Sequence, residues 1–154
     1  MQTPTKVILS HSIQLSGVKC RTTNKDEMNP STARIGQLWG QFFQQSTQPI
    51  QSKIYSVYTN YESDHNGAYD IYVATPSSES NRNLTETIQI PQENDEEFLV
   101  FSGSGKMPET CINLWQSIWQ YFDKHHVEYS RAFSLDFEEY DDKENVKIYI
   151  ALKK

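Results

Sequence analysis

Cysteine is scarce in this chain: Cys20 and Cys111 are the only two among 154 residues. Two are too few for the disulfide framework of a small secreted scaffold, and they lack the paired spacing of a zinc site. Both are expected as free thiols, and no metal or cofactor is expected. Basic residues are also in deficit, 14 Lys and Arg against 20 Asp and Glu, for a net charge of -6. A field of that sign repels nucleic-acid backbones and anionic membranes and favours cationic partners. Long apolar runs are missing too. Met1 to Ser10 carries no basic stretch followed by an apolar run, and no segment reaches the length needed to cross a bilayer. A cytoplasmic location is therefore expected, with neither membrane nor direct nucleic-acid binding, and the Asn83-Leu84-Thr85 sequon reads as a chance tripeptide. A chain of this length makes one domain and buries roughly 70% of its unfolded surface without a staple.

What is present is a repeat. Ile35, Leu38, Trp39, Phe42 and Phe43 form an i, i+3, i+4, i+7, i+8 stripe, the pattern of an amphipathic helix facing a core. An offset of 76 leads to Cys111, Leu114, Trp115, Ile118 and Trp119, with Leu-Trp at the same point. Pro30-Ser31-Thr32 offers the first helix an N-cap, and Pro108-Glu109 suits the first turn of the second. The Tyr- and Val-rich run Lys53 to Glu62 and the aromatic run Tyr129 to Tyr140 read as strands. Asn60-Tyr61-Glu62 matches Asp136-Phe137-Glu138 at 76, Asp70 to Ala74 matches Lys147 to Ala151 at 77, and Ile13-Gln14-Leu15 echoes Ile88-Gln89-Ile90.

These matches predict an α+β fold with an antiparallel sheet, built from a strand-helix-strand-strand unit present twice about a pseudo-twofold axis. Half one runs over about 5–76, a polar connector over about 77–84, and half two over about 85–154. Within each unit the last two strands are joined by short polar segments, one containing Asn66-Gly67, and are expected as hairpins. Duplicated units leave a groove between them, a frequent place for ligands. Strand alternation puts Tyr58, Asn60 and Glu62 on one face, and Ser134, Asp136, Glu138 and Tyr140 on one face, opposite Phe133, Leu135 and Phe137. Such a polar face is either the wet side of a sheet or a site in which carboxylates lie beside aromatic rings. The second arrangement suits a lipophilic cation, because ion pairing and cation–π attraction add when water is excluded.

Three segments in order, Ala33 to Trp39, Tyr55 to Asp64 and Phe137-Glu138-Glu139-Tyr140-Asp141, carry a resemblance that covers nearly the whole chain. It resembles the gyrase-inhibitor-like small-molecule-binding domains, which also occur as effector-binding domains of AraC-type and MerR-type transcription regulators. The resemblance implies two SH2-like halves and a central cleft for lipophilic, often cationic, aromatic compounds. It implies that Glu138 meets the ligand charge, that Tyr140 orients it or touches ligand, that Trp39 and Trp115 look toward the cleft from the helices, and that Tyr58 and Tyr69 are strand aromatics of the site. Glu62 is the repeat mate of Glu138 on the 76 offset. The regulators also carry a helix-turn-helix segment, for which nothing here has the length or basic residues, so the chain looks like the sensor half alone.

Trp119 reads as core, and His125-His126 as a positive end to the second helix. Ser102-Gly103-Ser104-Gly105-Lys106 lacks the first glycine and the final Ser/Thr of a phosphate loop. Three functions stand at this point. The first is a non-catalytic small-molecule-binding protein that sequesters a compound or senses it through a partner. The second is a hydrolase of reactive electrophiles in which Glu138 activates water. The third is a module acting on gyrase or a transcription regulator.

Overall fold

The computed structural model describes residues 4–46, 53–79, 84–93, 95–123, 128–141 and 143–153. His125-His126, Asn83 of the sequon and residues 80–83 of the connector lie outside the described residues. The chain runs β1 (Thr5–Leu9), β2 (Ile13–Thr23), α1 (Asn24–Glu27), α2 (Ile35–Gln45), β3 (Ile54–Thr59), β4 (Ala68–Pro76), a 3-10 turn at Ser77–Glu79, β5 (Glu86–Ile90), β6 (Glu96–Ser104), α3 (Glu109–Phe122), β7 (Leu135–Tyr140) and β8 (Asn145–Ala151). All eight strands form one antiparallel sheet in the order β1-β6-β8-β7-β3-β4-β2-β5. The α+β class and the two hairpins are as the sequence predicts. No helix among the described residues is long and apolar enough to cross a membrane.

The two helical stripes do what their spacing requires. Leu38 and Phe42 of α2 are buried against Val18, Ile71 and Val73, and Leu114 and Ile118 of α3 against Leu99, Phe101 and Ile148. A third cluster fills the other side of the sheet, where Phe137 stacks on Tyr149 at 4.3 Å. Strand β7 is consequently covered on both faces: Leu135, Asp136, Phe137 and Glu138 are all buried. Its polar face is therefore not the wet side of the sheet.

The strand register corrects two of the repeat matches. Val57 pairs with Tyr72 as Phe137 pairs with Tyr149, and Tyr58 with Ile71 as Glu138 with Ile148. The offset between β3 and β7 is thus 80, and Tyr58, not Glu62, occupies the position equivalent to Glu138. The chain between helix and strand is longer in the second half, where residues before Leu135 run irregularly past a single bridge, Arg131 to Leu152. The aromatic run from Tyr129 therefore becomes a strand only at Leu135, and the run Lys53 to Glu62 only at Ile54–Thr59. Second, Ile13-Gln14-Leu15 and Ile88-Gln89-Ile90 are not equivalents but partners, pairing Ile13 with Ile90 and Leu15 with Ile88. The pairs β2·β4 and β6·β8, with Gly17 facing Ala74 and Phe98 facing Ala151, make the offset 81 ahead of the helices. On that offset Thr5–Leu9 answers Glu86–Ile90, and each half lends its first strand to the edge of the other.

The extra residues before α2 hold α1, which changes how α2 begins. No Ser31 or Thr32 side chain caps it; the Glu27 carboxylate accepts from the Ile35 N–H at 3.0 Å and the Arg34 N–H at 2.8 Å. The Thr22 hydroxyl donates to the same carboxylate at 2.7 Å. An anion at a helix N-terminus satisfies otherwise unpaired N–H groups and complements the dipole. Glu27→Ala is expected to cost about 1–2 kcal/mol, and Glu27→Gln about half of that, by urea denaturation.

Candidate functional site

Two carboxylates project from one face of β7 into the space beneath the helices. Asp136, fully buried, accepts from Arg131 Nη2 at 2.7 Å, from the Ala151 N–H at 2.9 Å and from the Tyr61 hydroxyl. Its charge is matched by a guanidinium that lies 4.3 Å over the Phe133 ring. Glu138 is equally buried but differently partnered. It accepts from Trp115 Nε1 at 2.6 Å, from the Tyr58 hydroxyl at 2.7 Å and from the Tyr140 hydroxyl, and it forms no ion pair among the described residues. Charge-assisted hydrogen bonds offset part of the cost of burying a carboxylate, but no countercharge among the described residues completes the balance.

Burial, reinforced by the Glu138 charge, pushes the Tyr58 and Tyr140 hydroxyls far above the usual tyrosine range, and burial with Asp136 does the same to Tyr61. The three therefore remain donors. Burial and Glu138 likewise raise the Cys111 thiol, whose sulfur lies 3.1 Å from the Tyr140 oxygen, so it is no thiolate nucleophile. Because the folded values exceed the unfolded ones, the stability tied to these tyrosines is complete below about pH 10 and is lost as pH rises further, where the unfolded chain ionises first. Urea midpoints are expected to fall steeply above about pH 10, with the phenolate absorbance of these three tyrosines appearing only as the protein unfolds.

In front of Glu138 lies a cavity of about 220 Å³ between the two halves. Its walls are Tyr58 and Tyr69 from β3 and β4, Tyr61, and Ile112, Trp115 and Trp119 from α3. Ile35 of α2, the α1 residues Asn24 and Glu27, His65 and Arg131 complete them. The rings interlock: Tyr58 meets Trp115 edge-on at 5.5 Å and Tyr69 at 5.4 Å, and Trp119 lies 6.1 Å from Trp115. Two side chains that line the cavity, Tyr58 and Trp115, hold Glu138 behind them, so its charge is one hydrogen bond removed from the cavity.

Of the residues singled out in the sequence, Tyr58, Tyr69 and Trp115 line the cavity and Glu138 backs it. Tyr140 sits on the far side of Glu138, and Trp39 packs edge-on against Tyr140 at 5.3 Å, so neither lines the cavity. Glu62 is exposed in the β3–β4 hairpin and does not reach it. Trp119, read as core, is 43% exposed at the rim. Glu27, Tyr61 and Arg131 line the cavity as well, and no sequence pattern singles them out. Thr23, whose side chain accepts the Asp26 N–H at 3.0 Å, is the local signal that could have revealed α1.

Residues 10–152 match the family described as Cass2, integron-associated effector binding protein. The Bacillus subtilis (strain 168) protein YobU, described as a transcriptional regulator, is 31% identical over 156 residues, covering 92% of each chain. An integron cassette protein from the mobile metagenome of Vibrio cholerae has the same fold with a TM-score of 0.84 and 35% identity, over 99% of this chain and 97% of that one. The protein SAV2435, solved bound to tetraphenylphosphonium, superposes with a TM-score of 0.69 at 16% identity, over 99% and 94% of the two chains.

Proposed function

The chain belongs to the family of integron-associated effector-binding proteins, and from that premise we propose that it is a cytoplasmic binding protein that holds a lipophilic aromatic cation in the cavity between its halves, with Glu138 as the countercharge. The observation that carries this reading is the buried Glu138 carboxylate, held by two tyrosines and a tryptophan and paired with no cation among the described residues. Arg131 cancels Asp136, while Glu27 and Glu138 have no ion-pair partner among the described residues, so the field in the cavity is negative. Its walls are aromatic faces. Each cation–π contact contributes about 0.5–2 kcal/mol, and more as water is excluded. That a protein of the same fold takes tetraphenylphosphonium agrees with this chemistry. Both oxygens of Glu138 are already engaged by donors, an arrangement that fixes a charge rather than activates a water, which favours binding over hydrolysis.

Thermal unfolding with a panel of lipophilic cations and neutral aromatics of similar size tests the reading. A cation at 100 times its Kd stabilises the fold by about 2.7 kcal/mol. Upward shifts confined to cations are expected; shifts with neutral compounds alone would contradict it.

A further inference from the structure

The cation site does not account for Arg131. Its Nη2 is committed to Asp136, its Nε is buried with no hydrogen-bond partner, and its Nη1 makes no hydrogen bond to any described residue. The residue is only 7% exposed. A guanidinium carries five N–H donors, and donors left idle in a buried setting cost free energy until an acceptor arrives.

Its position says where such an acceptor would come from. Arg131 forms part of the cavity wall and also part of a wider groove of about 760 Å³, which runs past Phe122, Tyr129, Phe133 and Lys153. His65 and Trp119 are shared in the same way, so cavity and groove meet at these three residues. At about 220 Å³ the cavity falls below the usual range of roughly 300–1,000 Å³ for small-molecule sites. A drug-sized compound seated in it therefore continues through the junction into the groove, past Arg131, whose idle Nη1 is not among the buried atoms. Asp136 already neutralises the guanidinium, so the group it meets can be a neutral oxygen as well as a charged one.

We propose that Arg131 is a specificity-determining residue, and that the ligand is an aromatic cation with an oxygen acceptor on an arm that leaves the cavity at the junction. This rests on the cation-site reading. The oxygen is a carbonyl, ester or carboxylate, whose lone pairs suit the guanidinium fork.

Three triphenylphosphonium cations that share one head and differ only in the tail test it: butyl, an ester-terminated propyl and a carboxypropyl. The wild-type protein is expected to bind both oxygen-bearing cations at least about tenfold more tightly than the butyl compound, as judged by titration calorimetry. A larger gain for the carboxylate than for the ester would assign the arm as anionic, and equal gains as a neutral acceptor. R131K keeps a positive charge beside Asp136 but removes the fork, so the ratio of oxygen-tail to butyl affinity is expected to collapse toward one. The Arg131 Nε–H resonance in the wild-type protein is expected to shift with the oxygen tails and not with butyl, a readout that needs no variant. Equal wild-type affinity for all three tails, or an unchanged ratio in R131K, would overturn the proposal while leaving the cation site standing. Failure of all three to bind would overturn the cation site and this proposal together.

Discussion

Glu138→Gln is expected to weaken the binding of tetraphenylphosphonium by about a hundredfold while leaving the protein folded. The substitution keeps the shape of the side chain and removes its charge. A cation about 6 Å from the carboxylate at an effective dielectric near 20 gains about 2.8 kcal/mol, which is about two orders of magnitude in Kd. The fold loses the charge assistance of the bonds from Trp115, Tyr58 and Tyr140. It gains relief from burying a carboxylate that no cation among the described residues accompanies. These terms oppose each other, so the change in stability is expected within about 1 kcal/mol. Calorimetric titration and urea denaturation of the same sample separate the two effects. Loss of binding with the fold intact is the expected pair; an affinity that Glu138→Gln leaves unchanged would remove the carboxylate from the site.

Asp136→Ala, two residues away on the same buried face, is expected to do the reverse damage and destabilise the fold by about 3–5 kcal/mol. Here a cation is present. Without Asp136 the Arg131 guanidinium stays buried over Phe133 with no countercharge, and the Tyr61 hydroxyl and the Ala151 N–H lose their acceptor. For a chain of this size about 1 kcal/mol corresponds to roughly 2–4 °C, so Tm is expected to fall by about 6–20 °C. Replacing both partners together, Asp136→Leu with Arg131→Met, is expected to recover most of the loss, because no charge is then stranded. A fall in Tm of only 1–2 °C for Asp136→Ala would show that the pair is not what holds this end of the sheet.

The two helices were legible in the sequence because a 3.6-residue period records burial locally: Leu38, Phe42, Leu114 and Ile118 announce themselves without knowledge of the sheet. The strands were legible as elements but not in register. Matching residue types made Glu62 the equivalent of Glu138, whereas the strand pairing gives that equivalent position to Tyr58, since the two halves differ in length on both sides of their helices. Alternation along β7 separated Asp136 and Glu138 from Phe137, yet it could not say whether the polar face was covered. That depends on where α2 and α3 lie. Glu27 escaped notice because it acts at a distance of eight residues, from a helix of four. Arg131 escaped because its partner and both cavities are brought to it by an irregular segment with no periodicity to read.

The measurement that bears most directly on the cation site is a titration of the wild-type protein with tetraphenylphosphonium and tetraphenylborate, which share size and shape and differ in the sign of charge. With Glu138 paired to no cation among the described residues, and the charge of Arg131 matched by Asp136, the cation is expected to bind at least about a hundredfold more tightly than the anion. Equal affinities, or preference for the borate, would contradict the account.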